Sequence, residues 1–515
     1  MRRVVVVGNG MVGSRFVEEL VRRDPDVAVT VLGAEEYEPY NRVLLSEVVA
    51  GTVELASLTL AGPPVGGVRV RAGALVTAID RERRTVATAD GPMVGYDTLV
   101  LATGARAVEP EIPGLRRAGE PARGPSSLVA GVHPLRTLDD AREIVAATLN
   151  ARDAVVLGGG VLGLEVACGL VRRGLRVTVV HRGTHVMERH LDEAAGGAVA
   201  HALDRLGIRR LAGLGVSSAL VADGRLRGLL LSDGEAVAAD LLVLAAGTVP
   251  ETGLAAACGL AVDRGIVVDR QARTSDPDVH AIGDCAQPPE GGHGLLAQGW
   301  DQARRLAEHL AGGTRDADAN AEHEAPVVDV LRVKAQGLDV ITMGVSGAGG
   351  DGRRAVRLSD PGAGRHVEVV VEGGVVVGAT CVGAGPVAAD LTSAYTRRTP
   401  APLDPAHLLL RPARGGGAPE QGGSPLLMPD RATVCRCNGV TKGDLVASWQ
   451  TGARSVADVA RTTRATTGCG GCEDAVCGLL EWLGRSDPSP PGGQPSLARR
   501  PAVPGARTGS TRPGA

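Results

Sequence analysis

The sequence predicts an α/β protein made of two Rossmann-like units, followed by a small α+β domain and a small helical, cysteine-rich domain. Three observations predict it. A strand–glycine turn–helix–strand pattern opens the chain and recurs about 150 residues later. Residues 326–395 then alternate in the manner of strands. Residues 431–484 are compact and carry cysteines in two close pairs.

Length and composition bound the rest. A chain of 515 residues exceeds a single core and suggests about three domains. Lys+Arg is 55 against Asp+Glu 58, a net charge of −3. That is neither a basic footprint for nucleic acid nor the excess charge of a disordered chain. Aromatics are 2% with a single phenylalanine, Phe16, so the cores are expected to be Val, Leu and Ala. No stretch reads as a membrane helix; the nearest, residues 373–389, holds five glycines and a proline. The start, MRRVVVVGNGMVG, mimics a signal peptide. Its apolar run breaks at Gly8-Asn9-Gly10, and no small-residue cleavage site precedes Glu18-Glu19. The expected compartment is the reducing cytoplasm, where nine cysteines need a use other than disulfides.

In chain order, VVVV at 4–7 predicts a buried strand, 14–23 an amphipathic helix and 27–32 a second strand. Residues 153–157, 164–173 and 175–180 predict the same series again. Gly8, Gly10 and Gly13 make the first G-x-G-x-x-G, and Gly158, Gly160 and Gly163 the second. The first glycine of each allows the turn, the second admits a pyrophosphate, and the third packs helix on strand. An acid for the ribose hydroxyls should follow about 20 residues on. Glu35 meets that expectation in the first unit. In the second, the strand ends in His181-Arg182 and no acid is expected there. An arginine at that point suits a 2′-phosphate, so NADPH is expected to be tolerated and mildly preferred. Two such sites suggest a permanent flavin beside an exchangeable nicotinamide.

The segments YDTLVLATGARA, VVLGGGVLGLEVA, LLVLAAGTVP and VHAIGDCA stand in an order that resembles the two-dinucleotide, glutathione-reductase-like flavoproteins, over roughly residues 1–312. The resemblance implies FAD on the first fingerprint, with Thr103 and Gly104 beside it and Asp284 bonding the flavin ribityl chain. It implies NAD(P)H on the second, with Glu165 near flavin and nicotinamide as the catalytic candidate. It divides the chain into an FAD-binding domain in two parts, 1–112 and 249–315, and an NAD(P)-binding domain, 113–248. The small α+β domain would follow at 326–398, a linker at 399–430 and a disordered tail at 485–515. Disulfide reductases of this kind carry a redox cysteine pair near the flavin. Here the first cysteine is Cys168, so that chemistry is not expected. Cys168, Cys258, Cys285 and Cys381 read as small core residues.

Cys435, Cys437, Cys469 and Cys472 form C-x-C-x31-C-x2-C. Four thiolates are the ligand set of a [2Fe–2S] cluster. Zinc is the competing reading, although its paired cysteines are more often two to four residues apart. Gly468, Gly470 and Gly471 would let backbone amides approach sulfur, and Cys477 reads as a spare on a helix. The segment TVCRCNGVTKGDL…TGCGGC, within residues 431–484, resembles the bacterioferritin-associated-ferredoxin-like [2Fe–2S] domain. The same module follows the flavoprotein half of the NAD(P)H nitrite reductase large subunit and occurs in electron-transfer subunits of assimilatory nitrate reductase. PYNRVLLSEVVAG (residues 39–51) extends that resemblance and implies Arg42 beside the FAD phosphate.

The sequence departs from the nitrite reductase subunit in having no further cysteines for a second cluster, so nitrite reduction by this chain alone is not expected. It departs again at Val249 and Glu251, where the family more often has Arg and Asn. The expected route is NAD(P)H to FAD to [2Fe–2S] to a separate catalytic subunit, that of assimilatory nitrate reductase. The alternatives are the flavoprotein component of a split nitrite reductase and, in another class, a redox-sensing or iron-release module.

Overall fold

The computed structural model describes residues 1–60, 67–117, 127–292, 294–312, 330–347, 352–409, 428–435, 438–466 and 472–486, with Pro386 and Asp474 described in backbone only. The first unit is a five-stranded parallel sheet in the order Val279–Ala281, Thr98–Leu101, Arg3–Val7, Ala28–Leu32, Val68–Arg71. Its central strand is buried because consecutive valines suit a sheet covered on both faces. The helix Met11–Arg23 covers one face with Phe16, Val17 and Leu20, all essentially inaccessible. Deleting a side chain such as Phe16 typically costs about 3–5 kcal/mol.

The second unit repeats this plan. Its parallel order is Arg209–Ala212, Arg176–His181, Asp153–Leu157, Leu241–Leu244, Val132–Pro134, with helix Val161–Arg172 after the glycine turn. It is inserted into the first. The chain leaves through Ala105–Ala107 and returns through Thr248–Pro250, which pair antiparallel. It then adds Val279–Ala281 to the first sheet, beside Thr98–Leu101.

The third unit is a five-stranded antiparallel sheet, Val330–Arg332, Val340–Gly344, Val375–Val382, Arg365–Glu372, Arg354–Asp360, closed by helix Gly385–Arg397. Residues 399–409, expected as linker, belong to it. Pro400 bridges to Val375, Ala401 N donates to Gly374 O at 2.7 Å, and Leu409 is buried in its core. Proline content alone marks such a segment as linker, but its backbone groups and leucine found partners on the sheet. The rest of the expected linker, 410–427, lies outside the described residues, as do 487–515 of the expected tail; Arg485 and Ser486 end a helix.

The last unit has a short hairpin, Thr433–Cys435 with Val440–Thr441, and helices Lys442–Gln450, Val456–Thr463 and Glu473–Ser486. Capping boxes start two of them, Thr441 with Asp444 and Ser455 with Asp458. Among the described residues no helix is long and apolar enough to cross a membrane.

Candidate functional site

The two glycine turns are built alike. Gly8 has φ +113° and Gly158 +125°, a region where glycine alone is at ease. A Cβ on Gly8 would lie 2.1 Å from Ala102 O, and one on Gly158 2.3 Å from Ala245 O. A Cβ on Gly13 would meet Gly8 O at 2.4 Å, and one on Gly163 would meet Gly158 O at 1.9 Å. These glycines let helix and strand close together. At Gly10 and Gly160 a Cβ would meet nothing within 4 Å. Each caps its helix without a side-chain hydrogen bond, and no acid stands in either first turn. Open space before free helix N–H groups is what a pyrophosphate requires, so both turns fit a dinucleotide.

A cleft of about 510 Å³ opens from the first turn, and Gly8, Gly10, Glu35, Arg42, Thr103 and Gly104 line it. Glu35 accepts from Tyr40 Oη at 2.8 Å and from the Arg42 guanidinium. Arg42 also donates to Arg136 O at 3.2 Å and lies 4.7 Å from the centre of the Tyr40 ring. Tyr40 Oη accepts from Leu138 N at 2.9 Å, and burial above all pushes its phenol pKa up. Thr103 Oγ1 donates to Glu251 O at 2.8 Å. Glu251 itself lines the cleft and pairs with Arg106 at 3.2 Å.

Asp284 stands in the turn Gly283–Cys285 and reaches the cleft through Arg136, whose Nη2 donates to its Oδ2 at 2.7 Å. Arg136 also donates to Ala105 O at 2.8 Å and lines the cleft. Sequence reasoning missed Arg136 and the bridging role of Tyr40. Nothing local marks Arg136, since Asp284 is 148 residues away.

Glu165 does not line this cleft. It is buried, and both of its oxygens are taken. Oε2 accepts from Ser46 Oγ at 2.6 Å, while Oε1 accepts from Lys334 N at 2.8 Å and Nζ at 3.3 Å. The carboxylate thus joins helix Leu45–Ala50, helix Val161–Arg172 and the third unit. It is tied in place rather than left free to react.

At the second turn, His181 folds back so that Gly159 N donates to its Nδ1 at 3.3 Å. Arg182 is exposed, its stem alongside Gly215. The expectation that no acid stands at this strand end is corrected. Glu188 Oε1 comes within 3.6 Å of His181 Nε2, because the loop after the strand turns back over Gly183. Burial is the main cause of the lowered His181 pKa, with Glu188 opposing it.

In the last unit Cys435 and Cys472 are buried in one apolar core. Cys435 Sγ accepts from Asn438 Nδ2 at 3.8 Å, and Cys472 Sγ from Thr466 N at 3.2 Å. N–H donors aimed at sulfur fit thiolates that carry a cluster. Cys437 and Cys469 lie outside the described residues. Cys477 sits on helix Glu473–Ser486. Cys168 and Cys381 are buried in other cores, which pushes each thiol up to about 12 and keeps it protonated.

Residues 2–305 match the family described as Pyridine nucleotide-disulphide oxidoreductase. The chain belongs to that family. Its members' cofactors, FAD and NAD(P)H, are those the two glycine turns fit. Residues 433–482 of this oxidoreductase match the BFD-like [2Fe-2S] binding domain, which adds the cluster and settles the choice against zinc. The oxidoreductase is 32% identical to Nitrite reductase [NAD(P)H] of Bacillus subtilis (strain 168), over 94% of this chain and 58% of that one. It is 29% identical to the Assimilatory nitrate reductase electron transfer subunit of the same organism, over 96% of this chain and 62% of that one. The chain therefore spans only part of the length of these relatives. Among solved structures it resembles the covalent putidaredoxin reductase–putidaredoxin complex, with TM-score 0.67 and 27% identity over 79% of this chain and 95% of that one.

Proposed function

We propose that this oxidoreductase takes electrons from NAD(P)H and delivers them, through its [2Fe–2S] domain, to a separate catalytic subunit of assimilatory nitrate reductase. The observation that carries the reading is the order of parts: two dinucleotide units and a BFD-like domain on one chain, aligned over 96% of its length with a protein named as a nitrate reductase electron transfer subunit. When bound, FAD accepts a hydride's two electrons and releases them singly, as a one-electron cluster requires.

The chain's own residues bind and orient. The N–H groups after Gly10 and Gly160 hold the two pyrophosphates. Glu35, paired with Arg42, would accept from the ribose hydroxyls, and Arg42 would face the FAD phosphate. Arg136 holds Asp284 toward the ribityl chain, with Thr103 and Gly104 closing the cleft. Glu165 is a positioning residue: it fixes Ser46 and Lys334 and so the helix that follows Arg42. Asn438 and Thr466 donate toward the cluster's thiolates, with Cys437 and Cys469 completing the ligand set.

The test is anaerobic purification followed by assay with separate catalytic subunits. About two iron and two sulfide per chain and NAD(P)H-dependent nitrate reduction by the nitrate reductase subunit are expected. Stimulation confined to nitrite would favour the second reading, the flavoprotein part of a split nitrite reductase, which the match to that enzyme supports. Stimulation of neither overturns both.

A further inference from the structure

We propose that the buried ion pair between Glu18 and Arg464 is the clasp that seats the [2Fe–2S] domain on the flavin-binding unit and holds Cys435 and Cys472 in place for electron transfer. The inference rests on the electron route proposed above. Among the described residues, no hydrophobic core contains residues of both the last unit and the rest of the chain. The contact between Glu18 and Arg464 does cross between them.

Glu18 lies on helix Met11–Arg23, the helix whose N-terminus forms the first glycine turn. Eight residues separate it from Gly10, about 12 Å of helix rise. Its neighbour Glu19 is committed to its own helix, accepting from Arg15 at 2.8 Å, from Arg22 at 3.1 Å and from Arg23. Glu18 is met instead by Arg464 Nη1, 446 positions along the chain. The side chains are 7% and 17% exposed, so the pair is largely out of water. Burying a carboxylate is costly unless a cation pairs with it; burial pushes the Glu18 carboxyl up, and Arg464 opposes that push.

Arg464 is also linked to Cys435 and Cys472. It ends helix Val456–Thr463 with φ +65°, a conformation uncommon outside glycine. Its carbonyl accepts from Asn438 Nδ2, the same nitrogen that approaches Cys435 Sγ. Two residues on, Thr466 N donates to Cys472 Sγ.

The test uses the full-length, cofactor-loaded protein. Glu18→Gln, Arg464→Gln and the exchanged pair Glu18→Arg with Arg464→Glu are compared with wild type. Small-angle scattering reads docking, and stopped-flow mixing with NADH or NADPH reads cluster reduction. Each single variant should expand the particle and slow cluster reduction about tenfold or more, with dye-linked NAD(P)H oxidation unchanged; the exchanged pair should restore both. Should Arg464→Gln lose its cluster, Glu18→Gln keeps the test intact from outside that unit. Compact single variants with wild-type cluster reduction would overturn the clasp. A wild-type protein that cannot reduce its own cluster refutes the electron route instead, and the scattering then decides the clasp alone.

Discussion

Gly160 and Gly163 are three residues apart and do different work, which single substitutions can separate. A Cβ at Gly163 would press on Gly158 O, so Gly163→Ala should destabilise the second unit and lower its melting temperature. A Cβ at Gly160 meets only open space, so Gly160→Ala should melt like wild type and yet raise KM for NAD(P)H severalfold, because the methyl occupies the phosphate's place. Equal melting and equal KM in both variants would show that this turn binds no dinucleotide. Nicotinamide choice turns on charges at the end of the neighbouring strand. On the proposed reading Arg182 would favour a 2′-phosphate, whereas the Glu188 carboxylate near His181 would repel one. Both are solvent-facing, so each effect should be about 1 kcal/mol, near tenfold. Arg182→Ala should raise KM for NADPH and spare NADH; Glu188→Gln should raise kcat/KM for NADPH relative to NADH. No change in either ratio would mean that the ribose lies elsewhere. Glu188 was not legible in the sequence, because it follows the strand by seven residues and only the return of the loop brings it back.

Elements were legible where the pattern is local. The strand Asp153–Leu157 has the bounds its apolar run suggests. The helices expected at 14–23 and 164–173 begin three residues earlier, at Met11 and Val161, since their caps, Gly10 and Gly160, carry no side chain to announce a start. The strand Val279–Ala281 carries a testable consequence of its depth. His280 is 3% exposed; burial first, then the nearby His309 and Arg273, push its pKa down to about 4. An unfolded histidine titrates near about 6.5. As pH falls from 6.5, the unfolded chain gains a proton that the folded strand refuses until about pH 4. Stability should therefore fall across that window by about 3 kcal/mol and level off below it. Denaturant midpoints measured at about pH 7 and about pH 5 should differ in wild type, and His280→Gln should remove much of the difference. An unchanged pH dependence in the variant would show that His280 is already protonated in the fold or not the group responsible.

Across the whole molecule, long-range ties were the least legible part. Lys334 reaches Glu165 over 169 residues and Arg464 reaches Glu18 over 446, and no spacing rule connects such positions. Glu165 stands just after its glycine turn, which marked it as a candidate. Its engagement by Ser46 and Lys334 was not legible. The division of labour between units, by contrast, follows from their cores. Among the described residues, every apolar core but one lies between residues 4 and 409, and the remaining one runs from Cys435 to Leu483. Cutting the chain after about residue 425 should thus leave the larger cores whole. The shortened protein should be yellow, retain its flavin, and oxidise NAD(P)H with an artificial dye at close to the full-length rate. It should hold no iron, and transfer to the proposed catalytic subunit should vanish if that step runs through the cysteines removed. The dye assay guards against a trivial loss of fold, and the partner assay reads the route. Partner reduction at the full-length rate by the iron-free protein would place the exit for electrons at the flavin cleft and not at the cluster.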